Sequence, residues 1–276
     1  VSVARLAGVA ATLLAMSGPA VAAERIFEDP AGDDFGAGAI VYPTDPVYLP
    51  GSFDLRRVEL HDAGDAIEVR VTFAAPVQDP WDSRAWDGNG FSLQMVQVYL
   101  DTTPDAGAVD ALPGLHASFA PGDAWDRVVL IAPQGTARLK QAIEADASRF
   151  ASAIVLPKKV TATERGLTVL VDRKALGGAV SLRWGVQVVV TSSEPFPEPG
   201  NLMVRKVNEV AGLHRFGGGR DGRCDPHVLD ALAGAAQGAP AEVDAQKAAL
   251  AYACGPGDST LRAPVLPMLR SAPAAK

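Results

Sequence analysis

The sequence predicts a mainly β protein. It reads as a two-sheet antiparallel sandwich of immunoglobulin or jelly-roll type over residues 24–222, with a small helical appendage over residues 223–276. Three observations predict this. Short stretches alternate apolar and polar residues, which is the mark of half-buried strands. Turn-forming residues separate them, at Ala63-Gly64-Asp65, Pro121-Gly122-Asp123, Arg165-Gly166 and Glu198-Pro199-Gly200. After residue 222 the spacing of apolar residues becomes helical. Many short strands joined by loops make a sandwich.

The elements follow in chain order. Arg5 is the only charge before Glu24, and between them an apolar stretch runs into Ser17-Gly18-Pro19 and then Ala20-Val21-Ala22-Ala23. A basic start, a short apolar run and small residues at the end make an export signal over residues 1–23. The run is too short for a comfortable membrane span. A first strand is expected over residues 53–60. Ile67, Val69, Val71 and Phe73 then share one face, opposite Glu68, Arg70 and Thr72. Val96, Val98 and Leu100 lead into an acidic turn with Asp101, Asp105 and Gly107. Strands are expected at 127–132 and 154–163, and at Leu167, Val169 and Val171. In the last strand Leu182, Trp184, Val186 and Val188 alternate with Arg183, Gly185 and Gln187. Residues 136–150 read as a helix, because Leu139, Ile143 and Ala147 fall four apart. Asp225-Pro226 has the chemistry of a helix start, with Val228, Leu229 and Leu232 as its apolar face. A second helix is expected over 241–253, with Val243, Leu250 and Cys254 on one face, Lys247 interrupting it and Gly255 ending it.

Charge and cysteine content narrow the function classes. The chain has 25 basic and 32 acidic residues, a net charge of −7. No Lys/Arg cluster is interleaved with aromatics, so nucleic acid is not the expected partner. Cys224 and Cys254 have two readings: a disulfide, which in an exported protein would close a loop of roughly thirty residues and stabilise by about 3 kcal/mol, or two free thiols. Cys224-x-x-His227 has no second such pair elsewhere, and the four histidines show no metal-ligand spacing, so the sequence does not indicate zinc.

Two local constellations could carry function. Asp29-Pro30-Ala31-Gly32-Asp33-Asp34-Phe35-Gly36 packs three carboxylates into one tight turn. Hard oxygen ligands on such a loop suit a structural Ca²⁺, with Asp29, Asp33 and Asp34 as ligands and Asp54 as a further candidate. The other reading is a solvated acidic turn. Asp123 and Asp126 form a further acidic turn with the same two readings. The second constellation is the loop of residues 79–90, where Trp81 and Trp86 stand among Asp82, Asp87 and Asn89. An indole face packs on the C–H face of a sugar while polar side chains bond its hydroxyls. The competing reading is that these rings cap the end of the sandwich. Tyr42 and Tyr48, in a Pro-rich loop, share that ambiguity, and Trp184 reads as core. The motifs G-x-S-x-G, H-E-x-x-H, P-loop and C-x-x-C-H do not occur. A glycosidase carboxylate pair is not excluded by counting, and spacing singles none out.

Ordered blocks along the chain resemble the C-terminal module of glucodextranase. They are Asp29 to Gly36 as quoted, Tyr42-Pro43-Thr44-Asp45-Pro46, Gly51-Ser52-Phe53-Asp54-Leu55, Asn89-Gly90-Phe91-Ser92, Val96-Gln97-Val98-Tyr99 and Ala120-Pro121-Gly122-Asp123-Ala124-Trp125-Asp126. Pro199-Gly200-Asn201-Leu202, Val204-Arg205, Arg215-Phe216-Gly217-Gly218-Gly219 and Asp225-Pro226-His227-Val228-Leu229-Asp230 continue the resemblance. That family is related in form to β-sandwiches of the DOMON and family-9 carbohydrate-binding type. The resemblance implies a sandwich that binds polysaccharide or cell envelope, in the periplasm or outside the cell, with a secreted glycoside hydrolase as a further partner. It implies no catalysis, since the catalytic domain of glucodextranase is a separate (α/α) barrel without counterpart here. The cysteine pair departs from the module. So does an export signal of the chain's own, which leaves it without a fused enzyme. Two other classes stay open: a DOMON-type haem protein, with Met95, Met203 and His214 as the available axial ligands, and a glycoside hydrolase or its accessory.

Overall fold

The computed structural model describes residues 24–104, 106–234 and 238–270. The export signal expected over residues 1–23, and Asp105, lie outside the described residues.

Two five-stranded sheets face each other. The first contains β1 (Glu24–Glu28), β2 (Leu55–Ala63), β3 (Ala66–Phe73), β8 (Lys159–Ala162) and β9 (Gly166–Asp172), in the order β1-β2-β3-β9-β8 and antiparallel throughout. The second contains β4 (Gln94–Asp101), β6 (Arg127–Ile131), β7 (Ile154–Val155), β10 (Gly185–Ser192) and β11 (Asp230–Ala231), in the order β11-β10-β4-β6-β7. Only the β6–β7 pair in it is parallel. The stretch expected as one strand at 154–163 is two. Pro157, which cannot donate to a ladder, stands between β7 in one sheet and β8 in the other, so the chain changes sheet there.

The sheets differ in what covers them. The first has one buried face. Val58, Leu60, Ile67, Val69, Val71, Phe73, Leu167, Val169 and Val171 point into the space between the sheets, while Glu59, Glu68 and Arg70 form ion pairs on the outer face. A bulge between Leu55 and Arg57 resets the alternation so that Leu55 and Val58 both face inward. The second sheet is buried on both faces, which is why β6 reads as a nearly continuous apolar run. Val96, Val98, Leu100, Val129, Ile131, Val186, Val188 and Val190 meet the first sheet. Met95, Tyr99, Val128, Leu130 and Val189 meet an outer layer that includes Leu112, Phe119, Trp125 and Phe150. Helix α1 (Thr136–Asp146) adds Leu139 and Ile143 to that layer, as the four-residue spacing predicts. Trp184 is buried, but the residues before Gly185 are a turn rather than strand, and Leu182 is exposed.

The end of the chain departs from expectation in two respects. No helix starts at Asp225-Pro226. The main chain from residue 227 follows the edge of β10 instead, with Leu229 N–H donating to Val190 C=O (3.0 Å) and Leu232 N–H to Val188 C=O (3.1 Å) around β11. Val228, Leu229 and Leu232 are apolar because that edge position buries them. Sheet pairing thus overrides a local capping signal. The second helix is real, as α2 (Pro240–Leu250), but a different face is buried: Glu242, Gln246 and Leu250. The expected face of Val243, Leu250 and Cys254 fails because the helix docks through polar side chains. Gln246 Oε1 accepts from Ala231 N–H (2.8 Å), its Nε2 donates to Asp33 C=O (2.6 Å), and Glu242 Oε1 accepts from Ala233 N–H (2.9 Å).

Beyond α2, β12 (Ala253–Cys254) pairs with β13 (Thr260–Arg262), and β14 (Val265–Leu266) lies parallel to β5 (Ser118–Phe119). Cys224 and Cys254 are joined as a disulfide, with Cα atoms 5.5 Å apart.

Candidate functional site: an acidic cluster and an aromatic cleft

The turn after β1 is compact because Gly32 (φ 79°) and Gly36 (φ 57°) take left-handed backbone. At Gly36 a Cβ would stand 2.7 Å from Val228 O, so only glycine lets the turn approach the β11 segment. This approach brings Asp29 and Asp33 against Asp230. One ligand oxygen from each lies within 4.8 Å of the others. Asp34, Asp54 and Glu242 are buried around them. Arg56 stands beside the cluster, its Nη1 3.8 Å from Asp54 Oδ1.

Hydrogen bonds satisfy part of this charge. Both oxygens of Asp230 accept main-chain N–H groups, from Leu55 (2.7 Å) and Ala231 (2.8 Å). Asp54 Oδ2 accepts from Gly32 N–H (2.6 Å), and Asp34 Oδ2 accepts from the Tyr42 hydroxyl. Both oxygens of Asp29, and Oδ1 of Asp33 and of Asp54, are buried with no hydrogen-bond partner. The electrostatics follow. Burial first, and then the charges of Asp230, Asp33, Glu242 and Asp54, push Asp29 up to about 11. Burial and then Asp54 push Asp33 up to about 7. Burial lifts Asp54 to about 6 against the Gly32 N–H, and raises Asp34 and Asp230 as well. A buried carboxylate without a donor costs several kcal/mol unless it is neutralised. The donors here are all hard oxygens, and oxygens within 4.8 Å can share an ion whose bonds are about 2.3–2.6 Å long. The residues therefore fit Ca²⁺.

Of the expected metal ligands, the structure brings Asp29 and Asp33 together, turns Asp34 toward Tyr42 and sets Asp54 at the rim beside Arg56. It adds Asp230 and Glu242, which local sequence reading missed. The capping signal at Asp225-Pro226 drew attention to a helix, and the carboxylate that completes the cluster stands five residues later on a strand.

The loop of residues 79–90 builds a second feature. Asp79 organises it, its carboxylate accepting from Ser83 N–H (2.9 Å) and from the hydroxyls of Ser83 (2.8 Å) and Ser92. Gly90 N–H donates to Ser83 Oγ (2.8 Å), and Asn89 Nδ2 donates to the carbonyls of Ala132 (2.8 Å) and Gln134 (3.1 Å). Asn89 is thus occupied in holding the loop. Asp82 and Asp87 bracket a single helical turn in left-handed backbone, are exposed, and do not line the cleft beside them. Trp86 Nε1 donates to Trp81 C=O (3.2 Å), which ties the Trp86 ring to the loop backbone, while the Trp81 ring packs on Tyr48 and His214.

Trp81 and Trp86 are 38% and 37% exposed, and Phe196 opposite them is 82% exposed. Together with Arg138, Arg205 and His214 they line a cleft of about 490 Å³. Tyr48 lies beneath, in ring contact with Trp81 and His214. The Arg138 guanidinium sits 5.4 Å over the Phe196 ring. Among the described residues lining this cleft, none is a carboxylate. Tyr42 is not part of it. Its hydroxyl belongs to the acidic cluster, and its ring packs on Phe53 and Phe216. Met95 and Met203 are buried in the layer outside the second sheet and do not line the cleft that holds His214.

A sandwich with an exposed aromatic cleft at its surface offers a ligand ring faces to stack on. The family comparison makes the class particular. The model of the SLH-like C-terminal binding module of glucodextranase matches residues 25–264, and the chain belongs to that family. The match runs from β1 past β13 and includes both features. No curated protein matches the chain. Among the described residues no helix is long and apolar enough to cross a membrane.

Proposed function

We propose that this chain is an exported, non-catalytic module that binds polysaccharide or cell-envelope glycan through the cleft of Trp81, Trp86 and Phe196. Membership of the binding-module family across residues 25–264 carries the reading. The cleft supports it. Exposed aromatic surface held rigid by its own loop is unfavourable in water, and a stacked ligand offsets that cost. Rigidity also spares the ligand the ordering penalty of a mobile site. Arg138, Arg205 and His214 supply polar groups within the lining, and Asp82 and Asp87, on the indole loop outside that lining, would bond hydroxyls of a glycan chain that extends past the cleft. In the same proposal a Ca²⁺ held by Asp29, Asp33 and Asp230 fastens the turn after β1 to the edge strand β11. Its role is structural, because the cluster is buried and separate from the cleft. A secreted glycoside hydrolase acting on the same polymer is the natural functional companion.

The test is retention of the purified protein, in Ca²⁺-containing buffer, on a panel of insoluble α-glucans and isolated envelope polysaccharides. Depletion from solution on at least one of them, reversed by the soluble form of that polymer, is expected. A folded, Ca²⁺-loaded protein that no member of the panel retains would overturn the reading.

A further inference from the structure

On another part of the surface, a polar cleft of about 550 Å³ opens between the loops around residues 116, 200, 222 and 257. His116 and His227 line it, and Asp225 is buried beside them. His227 is fully buried on the segment that runs along β10, where Leu115 C=O accepts its N–H (3.0 Å) and Thr191 Oγ1 donates to its C=O (2.7 Å). His116 is half-buried and holds left-handed backbone (φ 53°). The rings are in contact, with centroids 4.4 Å apart.

Their hydrogen bonds give both rings the same polarity. His227 Nδ1 lies 2.8 Å from Gly114 C=O, and His116 Nδ1 lies 2.9 Å from Asp225 C=O. A carbonyl only accepts, so each Nδ1 carries the proton and each Nε2 keeps a lone pair. This is how proteins orient histidines that ligate metals. His227 Nε2 is buried without a partner. Asp225 Oδ1 is likewise buried and unpartnered, while its Oδ2 accepts from Arg220 N–H (2.8 Å). One ligand atom from each of His116, Asp225 and His227 lies within 4.8 Å of the other two.

We infer that His116, Asp225 and His227 form a site for a divalent transition metal of the Zn²⁺ class, with a fourth position open to the cleft. Nitrogen and carboxylate ligands suit Zn²⁺, whereas the all-oxygen cluster around Asp29 suits Ca²⁺. Bonds of about 2.0–2.2 Å require at most an ångström-scale closure of the three side chains, and His116, at the surface, has the freedom to make it. The cleft above carries charges of both signs, Lys206 and Arg223 beside Glu198, Asp221 and Asp258, with Lys206 paired to Glu198 (3.6 Å), so the open position faces polar surroundings in which water can complete the coordination. The sequence hid the site because His116 and His227 are far apart in the chain and are joined only when the β11 segment pairs with β10.

The test uses tag-free, non-reduced protein stripped with chelator and then saturated with Ca²⁺, which occupies the acidic cluster. Zn²⁺ is titrated calorimetrically, and Co²⁺ is followed by its visible ligand-field bands. One equivalent of each is expected, with no thiolate charge-transfer band, since Cys224 and Cys254 are bonded to each other. His116→Asn keeps a residue that tolerates left-handed backbone and should weaken binding by more than about 10-fold. His227→Gln should abolish binding. Wild-type protein that binds neither ion, or His116→Asn protein that is folded and binds undiminished, would overturn the assignment.

Discussion

In the acidic cluster, Asp29 and Asp33 are buried with oxygens that no donor answers, whereas in the aromatic cleft Trp81, Trp86 and Phe196 leave part of their apolar surface open to solvent. The two regions are incomplete in opposite senses. Charge taken out of water needs a counter-charge that stays in place, and the cluster gathers its carboxylates from the turn after β1, the residue before β2, β11 and α2, so an ion that fills it ties those segments together. Apolar surface left in water needs a partner that comes and goes, and the cleft stands at the surface between the 79–90 loop, the start of α1 and the segment around Phe196. Removing the occupant of the first should therefore cost stability, and removing the walls of the second should cost binding.

The largest expected effect separates the regions at once. Chelation should lower the melting temperature, and Ca²⁺ alone should restore it. At a Ca²⁺ concentration of 100 times Kd the stabilisation is about 2.7 kcal/mol, which for a domain of this size corresponds to a shift of roughly 5–10 °C. Asp29→Asn should remove most of the Ca²⁺ response, while Trp81→Ala should leave it intact. A melting curve indifferent to Ca²⁺ would mean that the cluster is held by its protons alone.

A smaller effect sharpens the same contrast. Asp33 and Asp54 have folded-state values raised to about 7 and about 6, burial being the first cause. A carboxyl group whose value is raised on folding binds more protons folded than unfolded. Its contribution is therefore complete below the ordinary carboxylate value of about 4 and is lost as the pH rises through the folded values. Ion-free protein should lose stability between about pH 4 and pH 7. With Ca²⁺ present that loss should disappear, since the deprotonated cluster is the form that binds the ion. Thermal melts across that pH range, with Ca²⁺ and with chelator, check both signs.

Each region was half legible in the sequence, and the same half in both cases. Asp29, Asp33 and Asp34 stand in one turn, and Trp81 and Trp86 in one loop, so their spacing and the surrounding Gly, Pro and Asp residues announce them. Asp230, Glu242, Phe196 and His214 reach those places only through strand order and helix docking, which no local pattern encodes. The alternation that predicts β3 and β9 succeeds because one face of the first sheet is dry and the other wet. It blurs in β6 because the second sheet is buried on both faces. At Asp225-Pro226 a sound capping signal lost to the hydrogen bonds offered by the edge of β10. On α2 the buried face is polar, which a search for apolar spacing misreads. There Glu242 and Gln246 bond the main chain around β11, and Gln246 also bonds the acidic turn.

The most direct measurement is the affinity of wild-type, Trp81→Ala, Trp86→Ala and Phe196→Ala proteins for the polysaccharide that retains the wild type, taken with the melting temperature of each. The indoles are more than a third exposed, so each substitution should cost less than the about 3–5 kcal/mol of a buried Trp and leave a folded, Ca²⁺-responsive protein. Affinity should fall about 10-fold per ring, equivalent to about 1.4 kcal/mol, with Asp82→Ala and Asp87→Ala producing smaller losses. Variants that melt like the wild type and bind the polysaccharide equally well would contradict the assignment of this cleft as the glycan-binding surface.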